Sequence, residues 1–368
     1  MIITHIETYP TRLPVKLERR VGHRDSSDCV IVRVLTDVGL DGVGEANGTP
    51  RWSGETVWGT RALIEHVLAP LLINRDPRDI DDINRRMDQN CAHNWFAKAA
   101  LEMACWDLRG KEAGVPVYEL LGGAKRARHV QCRFSMADLA PESAGVLAAQ
   151  LVSTGFTAFK VKVGGDAATD QARVEAVREA IGPAPTLVID ATGKWDAVTA
   201  IELIDRMAAC NLAFVEQPTP RGDYAAMARV REKSSVPIMA DDSCFDLVHV
   251  KELIRGACCD ALSVYPGKNA GLRKTKQITE FAAAHGVACT IGSNFEWDIT
   301  TAAMGHLVIA CDNIQVERIP GDMLGPDHYE LSIARNPVQI AGPIATVPDG
   351  PGLGIEVDWD IVRTHSCA

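Results

Sequence analysis

A chain of 368 residues, 46% hydrophobic and 23% charged, has the apolar material for two domains or for one large barrel with an addition. Its net charge of −10, without a long charge run, argues against nucleic acid as a partner, and no stretch reaches the roughly 18 apolar residues of a membrane span. Eleven cysteines without a CxxC pair read as reduced packing residues of a cytoplasmic protein, not as a zinc site or a disulfide frame.

The first residues, Met1-Ile2-Ile3-Thr4-His5-Ile6, read as a strand and not as a basic leader. Residues 30–34 and 42–45 read as strands of a small sheet around a turn at 37–39. Between the first strand and these lies a polar, arginine-rich segment, 15–28, holding Arg19, Arg20, His23 and Arg24. It is either a plain surface loop or a lid over a site. Residues 97–108 carry apolar side chains on more than one helical face, which predicts a buried helix. Gly110 and Gly114-Val115-Pro116 mark its end. Leu120-Leu121-Gly122-Gly123 closes this α+β region, and basic residues at 125–128 form the link.

From about residue 129 the texture changes to a repeating strand-then-helix rhythm. Strands are predicted at 129–134, 157–163, 187–190, 213–216, 236–241, 261–265 and 287–292. Helices are predicted over 142–154, 170–181, 197–210, 224–233 and 272–285. Each unit takes roughly 25 to 30 residues, the size expected for a parallel barrel or a doubly wound sheet. The last segment, 323–368, reads as an irregular tail with one short strand at 352–357.

The strand at 157–163 alternates: Phe159, Val161 and Val163 face one side, Lys160 and Lys162 the other. Two ammonium groups roughly 7 Å apart on one face suit a solvated surface. Inside a protein they need facing carboxylates, or one lysine must lose its proton and become a base. The following units favour the second reading. Asp190, Glu216 and Asp241 each end an apolar run where a strand meets its loop. In a βα-barrel those ends share one mouth, where active sites sit. A lone acid there is usually a helix cap, but three in successive units point to a hard divalent cation. Lys268 follows one unit later, in a tight turn between Pro266-Gly267 and Asn269-Ala270-Gly271. It is either a surface loop lysine or a residue placed across the mouth from the lysine pair.

Together these motifs carry a resemblance. They are the Lys-x-Lys strand, Asp190-Ala191-Thr192-Gly193-Lys194-Trp195, Phe214-Val215-Glu216-Gln217-Pro218, Ala240-Asp241-Asp242-Ser243, the Lys268 turn and Gly292-Ser293-Asn294-Phe295-Glu296. In this order the chain resembles the enolase superfamily, and within it the muconate-lactonising-enzyme subgroup. The helix at 97–123 is similar to that subgroup's capping-domain signature. The resemblance implies an N-terminal α+β capping domain over 1–127, completed by the tail 323–368, above a modified (β/α)7β TIM barrel over 128–322. It implies that Asp190, Glu216 and Asp241 bind Mg2+, with Mn2+ as a substitute, and that the metal holds a substrate carboxylate and stabilises an enediolate. Lys162 and Lys268 would be acid/base groups on opposite faces, and Lys160 would depress the pKa of Lys162. Glu296 falls where the subgroup carries an acid near the substrate, with Asn294 beside it. Arg19, Arg20, His23 and Trp52 are candidate specificity contacts. Trp297 is either packing or a stacking wall.

Two positions depart from the subgroup's pattern. Thr192 stands where Asn is usual, and Asp242 where Glu is usual, which alters groups around the metal and Lys268. The implied activity is Mg2+-dependent removal of a proton α to a carboxylate, giving cycloisomerisation, racemisation or epimerisation of a small carboxylate. A β-eliminating dehydratase would use the same site. A Schiff-base lysine aldolase or a non-enzymatic binding relative are readings of other classes. Family resemblance further implies a homo-oligomer.

Overall fold

The N-terminal region is built on an antiparallel sheet of β1 (Ile3–Pro14), β2 (Ser26–Thr36) and β3 (Asp41–Ala46), in that order. This computed structural model describes residues 1–16 and 25–367. Arg19, Arg20 and His23 lie outside the described residues. The helix Trp95–Ala113 crosses the sheet, and its backbone approaches so closely that a Cβ at Gly44 would fall 1.8 Å from the Ala100 carbonyl oxygen. The helix is buried on nearly every face, as its sequence predicts, and Gly114 ends it in the left-handed conformation that glycine adopts without cost.

The second region is a parallel sheet of β5 (Phe134–Met136), β6 (Ala158–Lys162), β7 (Thr186–Asp190), β8 (Leu212–Glu216), β9 (Ile238–Ala240), β10 (Ala261–Val264) and β11 (Ala288–Ile291), following β4 (His129–Gln131) in the chain. The seven strands pair in sequence order. A helix follows each one. The ring is closed by 314–322, which makes parallel bridges from Ile314 to Cys289 and from Gly321 to Cys132. Asp322 N donates to Ile291 O at 3.0 Å, and Arg133 N to Gly321 O at 2.7 Å. The result is a modified (β/α)7β barrel. Val188, Phe214, Met239, Ala261, Ala288 and Ile319 fill its floor.

Within the barrel, two helices go beyond those expected, Leu247–Arg255 and Asp298–Ala310. The second is buried at every position, so it has no polar face to mark a helical period. The tail corrects another expectation. Residues 352–357 form no strand and make only isolated bridges, because glycines at 350, 352 and 354 leave few side chains to pack on a sheet. The tail's strands are β12 (Gln339–Ala341) and β13 (Ile344–Thr346), which join β4 in a small antiparallel sheet. The chain then returns to the first region: Cys367 N donates to Pro10 O, and Arg12 N to His365 O, both at 2.9 Å. Among the described residues no helix is long and apolar enough to cross a membrane.

Candidate active site

The parallel register sets the site. Lys162 pairs with Asp190, and Asp190 with Glu216, so the C-terminal ends of β6, β7 and β8 stand side by side. Asp241 follows β9 directly. The lysines face inward onto these acids. Lys160 Nζ lies 2.8 Å from Glu216 Oε1 and 3.2 Å from Asp190 Oδ2, and Lys162 Nζ lies 2.5 Å from Asp190 Oδ2. Lys268 comes from the opposite side. It donates to Asp241 Oδ1 at 2.6 Å, to Asp241 O at 2.9 Å and to Ser263 O at 2.8 Å.

Burial and pairing compete at each group. Burial acts to raise Asp190, but the charges of Lys162 and Lys160 hold it well below the ordinary carboxylate value. Asp241 is lowered too: burial opposes this, and Lys268 and Lys160 outweigh burial. Burial lifts Glu216, with Asp190 and Asp241 adding to the rise against Lys160 and Arg133. Both Glu216 oxygens accept from cations, so it stands as a carboxylate. Burial acts to lower Lys160, but Glu216 and Asp190 keep it above the usual lysine value. Asp242 is pushed up to about 7, by burial first and then by Asp241 and Asp190.

The loops behind the site are locked by buried amides. Gln217 donates to Thr219 O and Ser243 Oγ and accepts from the backbone N–H groups of Asp241 and Ser243, so it ties the β8 loop to the turn after β9. Asn269 joins Tyr265 N to the carbonyls of Cys244 and Phe245 and so fixes the Lys268 turn. Thr192, Gln217, Ala270 and Phe295 all carry positive φ, between 42° and 60°. Such strained backbone gathers where surrounding structure fixes a functional loop.

A cavity of about 390 Å³ opens over this mouth. Lys160, Lys162, Asp241, Asp242, Thr192, Asn294 and Trp52 line it, so the capping loop at 49–52 and the strand ends share one space. Lys162 is 35% exposed, whereas Lys268 is wholly buried and lies behind Tyr265. Glu296 does not line the cavity. It is buried and accepts from Ser293 Oγ and Asn294 N, so it shapes its own loop; burial pushes it up to about 7. Trp297 also lies outside the cavity lining, edge-on to Tyr329, and its backbone N–H donates to Glu45. The arrangement is a packing one.

Residues 2–122 match the mandelate racemase / muconate lactonizing enzyme N-terminal domain, and residues 144–361 match the enolase C-terminal domain-like family. The chain belongs to this family. Muconate cycloisomerase 1 of Rhodococcus opacus is 32% identical over 339 residues, covering 91% of this chain and 90% of that one. N-succinyl-L-Arg/Lys racemase of Bacillus cereus is 29% identical over 372 residues, 99% of this chain and 97% of that one. Its crystal structure superposes with a TM-score of 0.95 at 27% identity, covering 100% of this chain and 99% of that chain. The dipeptide epimerase of Enterococcus faecalis, solved with Mg and the dipeptide L-Leu-L-Tyr, gives a TM-score of 0.90 at 31% identity, over 97% of this chain and 100% of that one. This protein is therefore an enzyme of the mandelate racemase / muconate lactonizing enzyme family in the enolase superfamily, whose members depend on a divalent metal.

The donor set here suits such a metal in chemistry. Asp190, Glu216 and Asp241 offer carboxylate oxygens, the ligands of hard cations, and each already holds a cation in the form of a lysine ammonium. Among the described residues no three acidic, histidine or cysteine side chains are gathered as a ready cage.

Sequence reasoning missed three contributors. Arg133 is buried inside the barrel, with Nη2 2.9 Å from Glu216 Oε2. Asp322, on the closing segment, accepts from Ser135 Oγ at 2.6 Å and lines the cavity. Gln217 stands in a quoted motif, but its tie to Asp241 needs the β8 and β9 loops in place. Arg133 precedes a short strand, and Asp322 follows an isolated bridge and lies in no strand, so neither shows an alternation signal.

Proposed function

We propose that this enzyme removes and returns a proton α to a carboxylate, as a cycloisomerase or as a racemase/epimerase of a small carboxylate. Asp190, Glu216 and Asp241 would hold Mg2+, with Mn2+ as a substitute. When bound, the metal supplies the positive charge that stabilises the enediolate left by proton loss. The observation that carries this reading is the half-exposed Lys162 amine on the cavity wall, set beside Asp190 and opposite Asp241 and Asp242. Lys162 is the group that reaches a substrate α-carbon from the cavity. Lys268 reaches the other face once Asp241 releases it. Lys160 keeps a positive charge next to Lys162. The names of the relatives supply the substrate classes: muconates, N-succinyl amino acids and dipeptides. An apolar wall of Phe134, Met136, Leu139 and Leu147 supports a substrate with an apolar remainder. We place 1–127 with 323–368 as one capping unit over the barrel, and we expect a homo-oligomer in a reducing cytoplasm.

The test is deuterium exchange. In D2O with Mg2+, at least one of these substrate classes should gain deuterium at the carbon α to its carboxylate, and EDTA should abolish the gain. Lys162→Ala should lose exchange from one face, and Lys268→Ala from the other. Full exchange and turnover in both variants would refute the assignment of bases.

A further inference from the structure

We propose that Arg133 is a positioning residue that presents Glu216 to the divalent cation through a single oxygen and lowers the site's affinity for that cation. The inference rests on the metal reading above. Arg133 is fully buried, and its guanidinium makes one bond, from Nη2 to Glu216 Oε2 at 2.9 Å. Its Nε and Nη1 have no partner among the described residues. The Phe214 ring lies 5.8 Å from its guanidinium carbon, and the Lys160 charge acts on it from the other side of Glu216. Among the described residues, Glu216 is the one hydrogen-bonded partner that answers this buried guanidinium.

Two consequences follow. Rotating Oε2 away from Arg133 would strip a buried charge of its only bonded partner. Glu216 therefore keeps Oε2 where it is and offers Oε1, the oxygen now held by Lys160. Lys160 can swing toward the cavity it lines, whereas Arg133 is fully buried and lies outside the cavity lining. Arg133 also cancels much of the Glu216 charge from below. A cation arriving at the mouth then meets a weaker field than three free carboxylates would give.

The experiment is a titration of the metal-free full-length protein with Mn2+, read by electron paramagnetic resonance of the free ion. Arg133→Met keeps the volume and removes the charge. It should bind Mn2+ roughly tenfold or more tightly, because a fixed positive charge has left a low-dielectric site. The same metal-free variant should melt at a lower temperature, since Glu216 loses a partner. Arg133→Lys keeps the charge and should bind Mn2+ like the wild type. Where the methionine variant fails to fold, Arg133→Gln, which keeps a donor for Glu216 without charge, carries the same expectation. A purely structural arginine would lower the melting temperature and leave Mn2+ affinity equal or weaker. That result overturns the proposal. Wild-type protein that binds no Mn2+ overturns the metal reading and this one together, while unchanged affinity in the charge-free variants overturns only the role of Arg133.

Discussion

At the scale of single residues, the site shows which side chains announce themselves in a sequence. Asp190, Glu216, Lys160 and Lys162 could be read because each ends or alternates along an apolar strand. Arg133 could not, because its partner lies 83 residues away and the strand that follows it is three residues long. Thr192 was legible as a departure, and the backbone explains it. Thr192 has φ of 48°, a left-handed conformation that β-branched residues adopt at a cost and Asn adopts readily. Its N–H donates to Asp190 Oδ1 at 2.8 Å, which holds the strained turn against a buried acid. Thr192→Asn should therefore stabilise the metal-free protein by about 1 kcal/mol, seen as a higher denaturation midpoint with an unchanged slope. An unchanged or lower midpoint would mean that the threonine's own contacts outweigh the backbone strain.

At the scale of elements, the strand-and-helix rhythm was readable because apolar runs alternate with amphipathic stretches. The joints between elements were not. Among the helices that lack a side-chain cap of their own are Trp95–Ala113, Leu272–Ala284 and Asp298–Ala310. A carboxylate from another element serves each. Glu55 accepts from Phe96 N and Ala97 N, Glu102 from Leu272 N and Arg273 N, and Glu45 from Trp297 N and Thr300 N. Glu102 and Glu45 thereby clamp the capping region onto barrel helices beside Lys268 and the 293–297 loop. A buried carboxylate can do this because a helix N-terminus presents free N–H groups and partial positive charge. Burial still dominates: it pushes Glu45 up to about 8, Glu55 to about 7 and Glu102 to about 6. Glu296 and Asp298 add like charge against Glu45. A folded-state value above the ordinary 4.5 means that the folded protein holds protons which the unfolded chain has shed. Their stabilising contribution is full below about pH 4.5 and is lost as pH rises through 6, 7 and 8. The lowered Asp190 and Asp241 act the other way, but only at acid pH, near and below their ordinary 3.8. Between pH 5 and 8.5 the melting temperature should fall, and Glu45→Gln should flatten the upper part of that fall. A variant whose melting curve keeps the wild-type slope between pH 7 and 8.5 would show that Glu45 does not titrate there.

At the scale of the whole molecule, the order of motifs was enough to name the architecture, because each motif marks one strand end of the barrel. How the chain closes was hidden. The segment 314–322 completes the ring through isolated bridges, and Pro320-Gly321 within it gives no strand pattern. The tail reads as irregular, but its glycines suggested a strand in the wrong place. Its final turns cover an edge. β1 is an outer strand of the N-terminal sheet, and residues 365–367 pair with it at 10–12. The helix Trp359–Thr364 lies against the same sheet, with Trp359 5.2 Å from the Tyr9 ring and 4.8 Å from the Arg33 guanidinium. An uncovered edge strand is a template for pairing with another chain. Ending the chain at 358 would bare the backbone of β1 and the apolar face of Tyr9. The shortened protein should aggregate at concentrations where the full chain stays dispersed, and limited proteolysis should cut first within the bared β1. The barrel's own fragments should survive longer, since 314–322 still closes the ring. Light scattering and mass-mapped digestion would check both points. A truncated protein that stays dispersed and resists cleavage as the full chain does would show that the N-terminal sheet holds its edge without the tail.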